Sequence, residues 1–131
     1  MYLTCFEVSA IHPSMPDELL IQLNQAQVEA LALINEVLLE WYDIPSIYEL
    51  KPRYFNDKVE RWRDIGGVLK DMKGNCKDLT AWRLAELRKR GVGCHAESIV
   101  ERLSKRKLRF HTYVRLDNGG FEDPAKRLGM P

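Results

Sequence analysis

The chain is short of several things that would each have named a function class. It has no long apolar stretch: the longest unbroken run, Ala30 to Ile34, is far below the roughly 20 residues a spanning helix needs. It has no excess of one charge, with 20 Lys+Arg against 19 Asp+Glu and a formal net charge of +1. A dedicated nucleic-acid binder is therefore not indicated, although a local basic patch stays open. It has only three cysteines, Cys5, Cys76 and Cys94. An odd, widely spaced set makes no disulfide framework, so these read as thiols of a reducing compartment. The start, Met1 to Glu7, lacks the basic opening and apolar core of a signal peptide, and a cytosolic location is expected. No repeat or low-complexity tract appears.

What is present suits one soluble domain spanning residues 1–131. Its hydrophobic fraction of 45% and charged fraction of 30% argue against disorder. A chain near this length buries roughly two-thirds of its unfolded surface and needs no staple. Tyr2 to Ser9 alternate with a period of two, which predicts a strand ended by Pro13 and Pro16. Ser14 is the expected cap of the next element.

From Asp17 to Trp41 the period becomes helical. Leu20, Leu23, Gln27, Ala30, Leu31, Ile34, Val37, Leu38 and Trp41 form a stripe, read as a core face, with a partner-binding face as the other use. Asp43 to Asn56, with Pro45 and Pro52, reads as a surface loop. Lys58 to Lys70 is expected to be helical in part, with Gly66-Gly67 bending or splitting it. Leu79 to Arg90 is apolar on nearly every side, with Arg83, Glu86 and Arg90 on one exposed-looking flank. That pattern predicts a central helix stopped by Gly91.

The remainder reads as antiparallel sheet: a strand over Cys94 to Leu103, a basic turn, an alternating strand over Leu108 to Leu116, and a return from Phe121 ended by Pro124. The architecture expected is α+β, with the long N-terminal helix and the Cys76 helix packed on a small sheet. The turn between the last two strands admits two registers. A two-residue Asn118-Gly119 turn pairs Leu116 with Phe121 and puts Glu122 on the His111 face. A three-residue loop with Gly119 left-handed pairs Leu116 with Gly120 and puts Asp123 there instead.

Cys76 opens the central helix, where positive partial charge favours a thiolate and free N–H groups suit an oxyanion. The plain alternative is a small buried residue. A nucleophilic thiol needs an imidazole and an orienting carboxylate, and His111 and Asp123 supply those residue types downstream. Cys94-His95 is not spaced as a metal pair, and no metal or other cofactor is expected. The run Arg102, Lys105, Arg106, Lys107 and Arg109 reads as a solvated turn.

The stretch Gly74-Asn75-Cys76-Lys77-Asp78-Leu79-Thr80-Ala81-Trp82-Arg83-Leu84-Ala85-Glu86-Leu87-Arg88 resembles the nucleophile helix of transglutaminase-like, papain-fold proteins, especially the short bacteriophage-encoded type. Phe110-His111-Thr112-Tyr113-Val114 and Phe121-Glu122-Asp123-Pro124, with Arg127-Leu128-Gly129-Met130, resemble that group's His and Asp strands and its C-terminal ending. The resemblance extends upstream through Trp62 and covers most of the chain. It implies a papain-like fold with Cys76 as nucleophile, His111 as general base and acid, Asp123 as orienter and Asp78 as a structural anchor, and it requires the second, bulged register, which is therefore the one expected. It also makes Trp62 and Asn75 candidates for binding or oxyanion support, beside the plain reading of Trp62 as a core residue. Asn75 and Lys77 stand where the group is frequently acidic, and Lys77 is expected to lower the thiol pKa.

Two functions are expected on these grounds. One is a cysteine-dependent acyl-transfer enzyme, hydrolase or transglutaminase-like, acting on a protein or peptide amide. The other is a non-catalytic phage virion or assembly protein that keeps the scaffold, partners other phage structural proteins, and resides in host cytoplasm or virion. Neither involves a specific nucleic acid or a membrane.

Overall fold

A computed structural model describes residues 14–58, 61–105 and 107–131. The strand expected over Tyr2 to Ser9, and Cys5 with it, lies outside the described residues. In chain order the elements are α1 (Asp17–Trp41), α2 (Ile47–Leu50), β1 (Arg53–Tyr54), α3 (Ile65–Asp71), β2 (Lys73–Gly74), α4 (Cys76–Lys89), β3 (Cys94–Arg102), β4 (Leu108–Leu116), β5 (Phe121–Glu122) and α5 (Pro124–Arg127). Strands β3, β4 and β5 form an antiparallel sheet in that order, and β1 pairs in parallel with β2. The class is α+β. No helix among the described residues is long and apolar enough to cross a membrane.

Helix α4 is the centre. Every residue from Cys76 to Leu87 is buried, as a helix apolar on most sides requires. Leu79, Trp82 and Ala85 face one cluster with Leu39, Ile47, Ile65, Val68 and Ala125. Ala81, Leu84 and Leu87 face another, built with Val28, Leu31 and Ala32 of α1 and Ala96 and Val114 of the sheet. Each fully buried aliphatic of this kind contributes roughly 1.5–3 kcal/mol.

Arg83 and Glu86 do not form an exposed flank; both are buried. Their charge is matched. Arg83 bonds Glu86 and Glu122, while Glu86 also accepts from Trp82 Nε1 and the Ile47 backbone.

Helix α1 has the expected ends, but its inward face is rotated from the expected stripe. The buried positions are Leu20, Asn24, Val28, Leu31, Ala32, Asn35 and Leu39, whereas Ala30, Ile34, Val37 and Trp41 are exposed. The cause is hydrogen bonding. Asn24 donates to Ser98 and Thr112 of the sheet, and Asn35 Oδ1 accepts from the Ile65 amide. On the same side Gln25 and Glu29 accept from the Ser98 and Ala96 amides, closing the open edge of β3. The N-cap is Pro16, not Ser14.

The segment read as a loop over Asp43 to Asn56 carries α2 and β1. Ser46 accepts from the Tyr48 amide and Glu86 from that of Ile47, so two orphan donors of α2 are satisfied. Gly66 and Gly67 lie inside the first turn of α3 without splitting it, because Asp64 caps the helix by accepting from the Gly67 amide at 2.8 Å. Gly91 stops the chain after α4 as expected, with φ of +79°.

Candidate active site

The start of α4 is fixed by a reciprocal cap. Asn75 Oδ1 accepts from the Lys77 and Asp78 amides, and Asp78 Oδ2 accepts from the Asn75 amide. Three of the four amides that a helix start leaves unpaired are thereby taken, and that of Cys76 is the one outside the cap. Gly74 has no side chain because a Cβ there would meet Asp78, Leu79 and Val68 at 3.1–3.3 Å.

Asp78 is wholly buried and also accepts from the backbone and guanidinium of Arg63. Burial raises its pKa to about 6 against the pull of these donors. Arg63 in turn grips Asp57 through two bonds, at 2.8 and 2.9 Å, and is held further into its charged form. Asp57 is pushed down by that contact. The anchoring role expected of Asp78 thus has a geometry.

Asn75 is placed differently from a free oxyanion donor. Its amide nitrogen donates to Asp57 and to the Arg61 carbonyl, so both N–H bonds are engaged in holding the loop. Trp62 is not a core residue: it is exposed, with the Lys77 ammonium 4.3 Å from its ring centroid.

Strand β4 brings His111 to the site. The turn to β5 has the bulged register, with Val114 opposite Glu122 and Arg115 opposite Phe121, and the Leu116 amide bonds Gly120 O at 2.8 Å. Gly119 is left-handed, with φ of +95°. The continuation carries Asp123 to the His111 face, where Oδ2 lies 2.6 Å from Nε2 of the imidazole. The other carboxylate oxygen caps α5 by accepting from the Lys126 amide. One side chain therefore orients the ring and starts the last helix. The ring stacks on Tyr113, and its Nδ1 is buried without a hydrogen-bond partner among the described residues.

Cys76 is 7% exposed, and its thiol donates to the Phe110 carbonyl at 3.9 Å, one residue before His111. Among the described residues the thiol and the imidazole are not hydrogen-bonded to each other: the first bonds Phe110 and the second Asp123. The lowered thiol pKa expected from the helix start is reversed: burial pushes it up to about 11, although the Thr112 and Lys77 backbone pulls it down. Lys77 does not offset this, since burial lowers its own pKa to about 8 and so weakens its charge. Desolvation outweighs the helix end here.

Three further residues of the site, Asp57, Arg63 and Tyr54, carried no signal in the sequence. Tyr54 packs against the cluster containing Cys76, and burial together with the thiol nearby raises its pKa. These residues come from an irregular stretch where spacing carries no information. Compared with protein-family models, curated proteins and solved structures, the chain matches none of them.

Proposed function

We propose that the chain is a cysteine-dependent acyl-transfer enzyme on a papain-like, transglutaminase-like scaffold, of the short bacteriophage-encoded type. The observation that carries the reading is the state of His111: one ring nitrogen is held by Asp123 at 2.6 Å, and the other is buried with no hydrogen-bond partner among the described residues, on the strand whose Phe110 carbonyl accepts from the Cys76 thiol. A buried ring nitrogen without a partner is costly, and a base waiting for a proton gives it a use.

In this mechanism Asp123 fixes the tautomer with the proton on Nε2, leaving Nδ1 as acceptor. When an amide carbonyl enters, the Cys76 proton passes to Nδ1 and sulfur bonds the carbonyl carbon. The Cys76 amide, outside the helix cap, faces the developing oxyanion. The C–N bond then breaks as Nδ1–H protonates the leaving amine, giving a thioester and a neutral imidazole. Water or a second amine attacks the thioester, releasing acid or new amide and returning the proton to sulfur. Because the resting thiol is neutral, proton transfer accompanies attack instead of preceding it.

The second reading, a non-catalytic virion or assembly protein in host cytoplasm or virion, is favoured by one observation: the thiol is buried, bonded to backbone and raised in pKa. Acylation of Cys76 by an activated ester separates the two readings.

A further inference from the structure

We propose that a cavity of about 540 Å³ between α2, β1 and the end of α5 binds a soluble phosphate ester, its phosphoryl dianion held by Lys51, Arg53 and Arg127. Neither Cys76 nor His111 lines the cavity, and the proposal depends on no chemistry at either.

The walls come from two distant parts of the chain. Lys51, Pro52 and Arg53 form one side, Arg127 and Leu128 the other. The Tyr54 amide ties the two together by donating to the Leu128 carbonyl at 3.0 Å. Arg127 is set in place by a stack: its guanidinium carbon lies 3.8 Å from the centroid of the Tyr48 ring, whose hydroxyl donates to Glu122 at 2.9 Å. A guanidinium stacked by its face keeps its N–H edges for an oxyanion.

Charge points to an anionic ligand. No carboxylate lines the cavity, and among the described residues none of its three cations forms an ion pair, whereas six other arginines do. Glu122 acts on Arg127 at longer range, but both its oxygens are taken by Arg83 and Tyr48. Lys73 adds a fourth positive charge beside Arg53. The two are register partners in the β1–β2 pair, and both lie over the Phe55 ring, at 4.0 and 6.0 Å from its centroid. Like charges side by side on neighbouring strands repel, and a bound dianion relieves that repulsion.

Size and lining select the ligand. The volume falls within the roughly 300–1,000 Å³ of small-molecule sites, more than a bare phosphate fills. Pro52, Leu128 and the Tyr48 ring supply an apolar wall for the carbon part of an ester. Two guanidinium forks and an ammonium match the three oxygens and double charge of a phosphoryl group; a carboxylate offers two oxygens and one charge.

The test is a proton–nitrogen NMR titration of the full chain at low salt with phenyl phosphate, and with inorganic phosphate and benzoate beside it. The expected result is saturable shifts at the Lys51, Arg53 and Gly129 amides, with a dissociation constant for phenyl phosphate below about 1 mM. Arg53→Gln and Arg127→Gln should each weaken binding at least about 10-fold. Arg90→Gln, at an exposed arginine ending α4, should leave it unchanged. All three side chains are exposed, so circular dichroism should not alter. Absence of saturable shifts overturns the proposal. So does inorganic phosphate or benzoate binding as tightly as phenyl phosphate, and so does an equal loss in Arg90→Gln.

Discussion

Nε2 of His111 stands 2.6 Å from Oδ2 of Asp123, and a left-handed glycine four residues before the aspartate makes the contact possible. With one residue fewer in the turn, the period-two alternation of β5 would present Glu122 to the imidazole. In the bulged register Glu122 turns the other way and pairs with Arg83 and Tyr48.

Gly119→Ala tests that dependence. An alanine at φ of +95° is strained, and the variant should lose about 1–2 kcal/mol in urea unfolding. The His111 imidazole resonances should shift with it, since relaxation of the turn moves Asp123. Unchanged stability and unchanged imidazole resonances would detach the hairpin from the site.

The anchor under the helix start gives a second expectation. Arg63→Met leaves Asp57 and Asp78 buried without their cation and should cost about 3–5 kcal/mol. Asn75→Ala removes the cap and two neutral donors to Asp57 and the Arg61 carbonyl, strands no unpaired charge, and should cost less, about 1–3 kcal/mol. Chemical denaturation that ranked Asn75→Ala as the more damaging would contradict the ion network as the main anchor.

The alternation of β4 made the shared face of His111 and Tyr113 readable, and since either register brings a carboxylate to it, Glu122 or Asp123, only the resemblance of Phe121-Glu122-Asp123-Pro124 to an Asp strand chose between the two. The helix boundaries of α1 were readable from Pro16 and the acidic first turn. Its orientation was not. With apolar residues on both faces, what decides the matter is Asn24 reaching Ser98 and Thr112, which lie more than seventy residues away. The same holds for Arg83 and Glu86, whose burial depends on Glu122 and on the Ile47 amide. Polar residues with distant partners look like surface until the partners are in place.

Stability should vary with pH through Cys76. Its folded pKa of about 11 exceeds the unfolded value near 8.5, so the neutral thiol favours folding. The contribution is full below about pH 8.5 and is lost as pH rises through about 11, on the order of 3 kcal/mol in all. Lys77 opposes it. Held down to about 8, it adds stability as pH rises from there towards its unfolded value near 10.4. Comparing wild type with Cys76→Ser cancels the lysine: the wild type should lose more stability between pH 8.5 and 11. Parallel curves would mean that the thiol is not buried in solution.

The central claim is that His111 activates Cys76, and acylation by p-nitrophenyl acetate at neutral pH tests it most directly. Mass spectrometry of the acetylated chain locates the thioester, with Cys94 as an internal standard, in wild type and in His111→Ala. A general base of this kind is worth roughly 10²–10⁴ in rate. The predicted result is acetylation of Cys76 ahead of Cys94, slowed at least about 100-fold by His111→Ala. Equal, slow labelling of both cysteines, unaffected by that substitution, would contradict it.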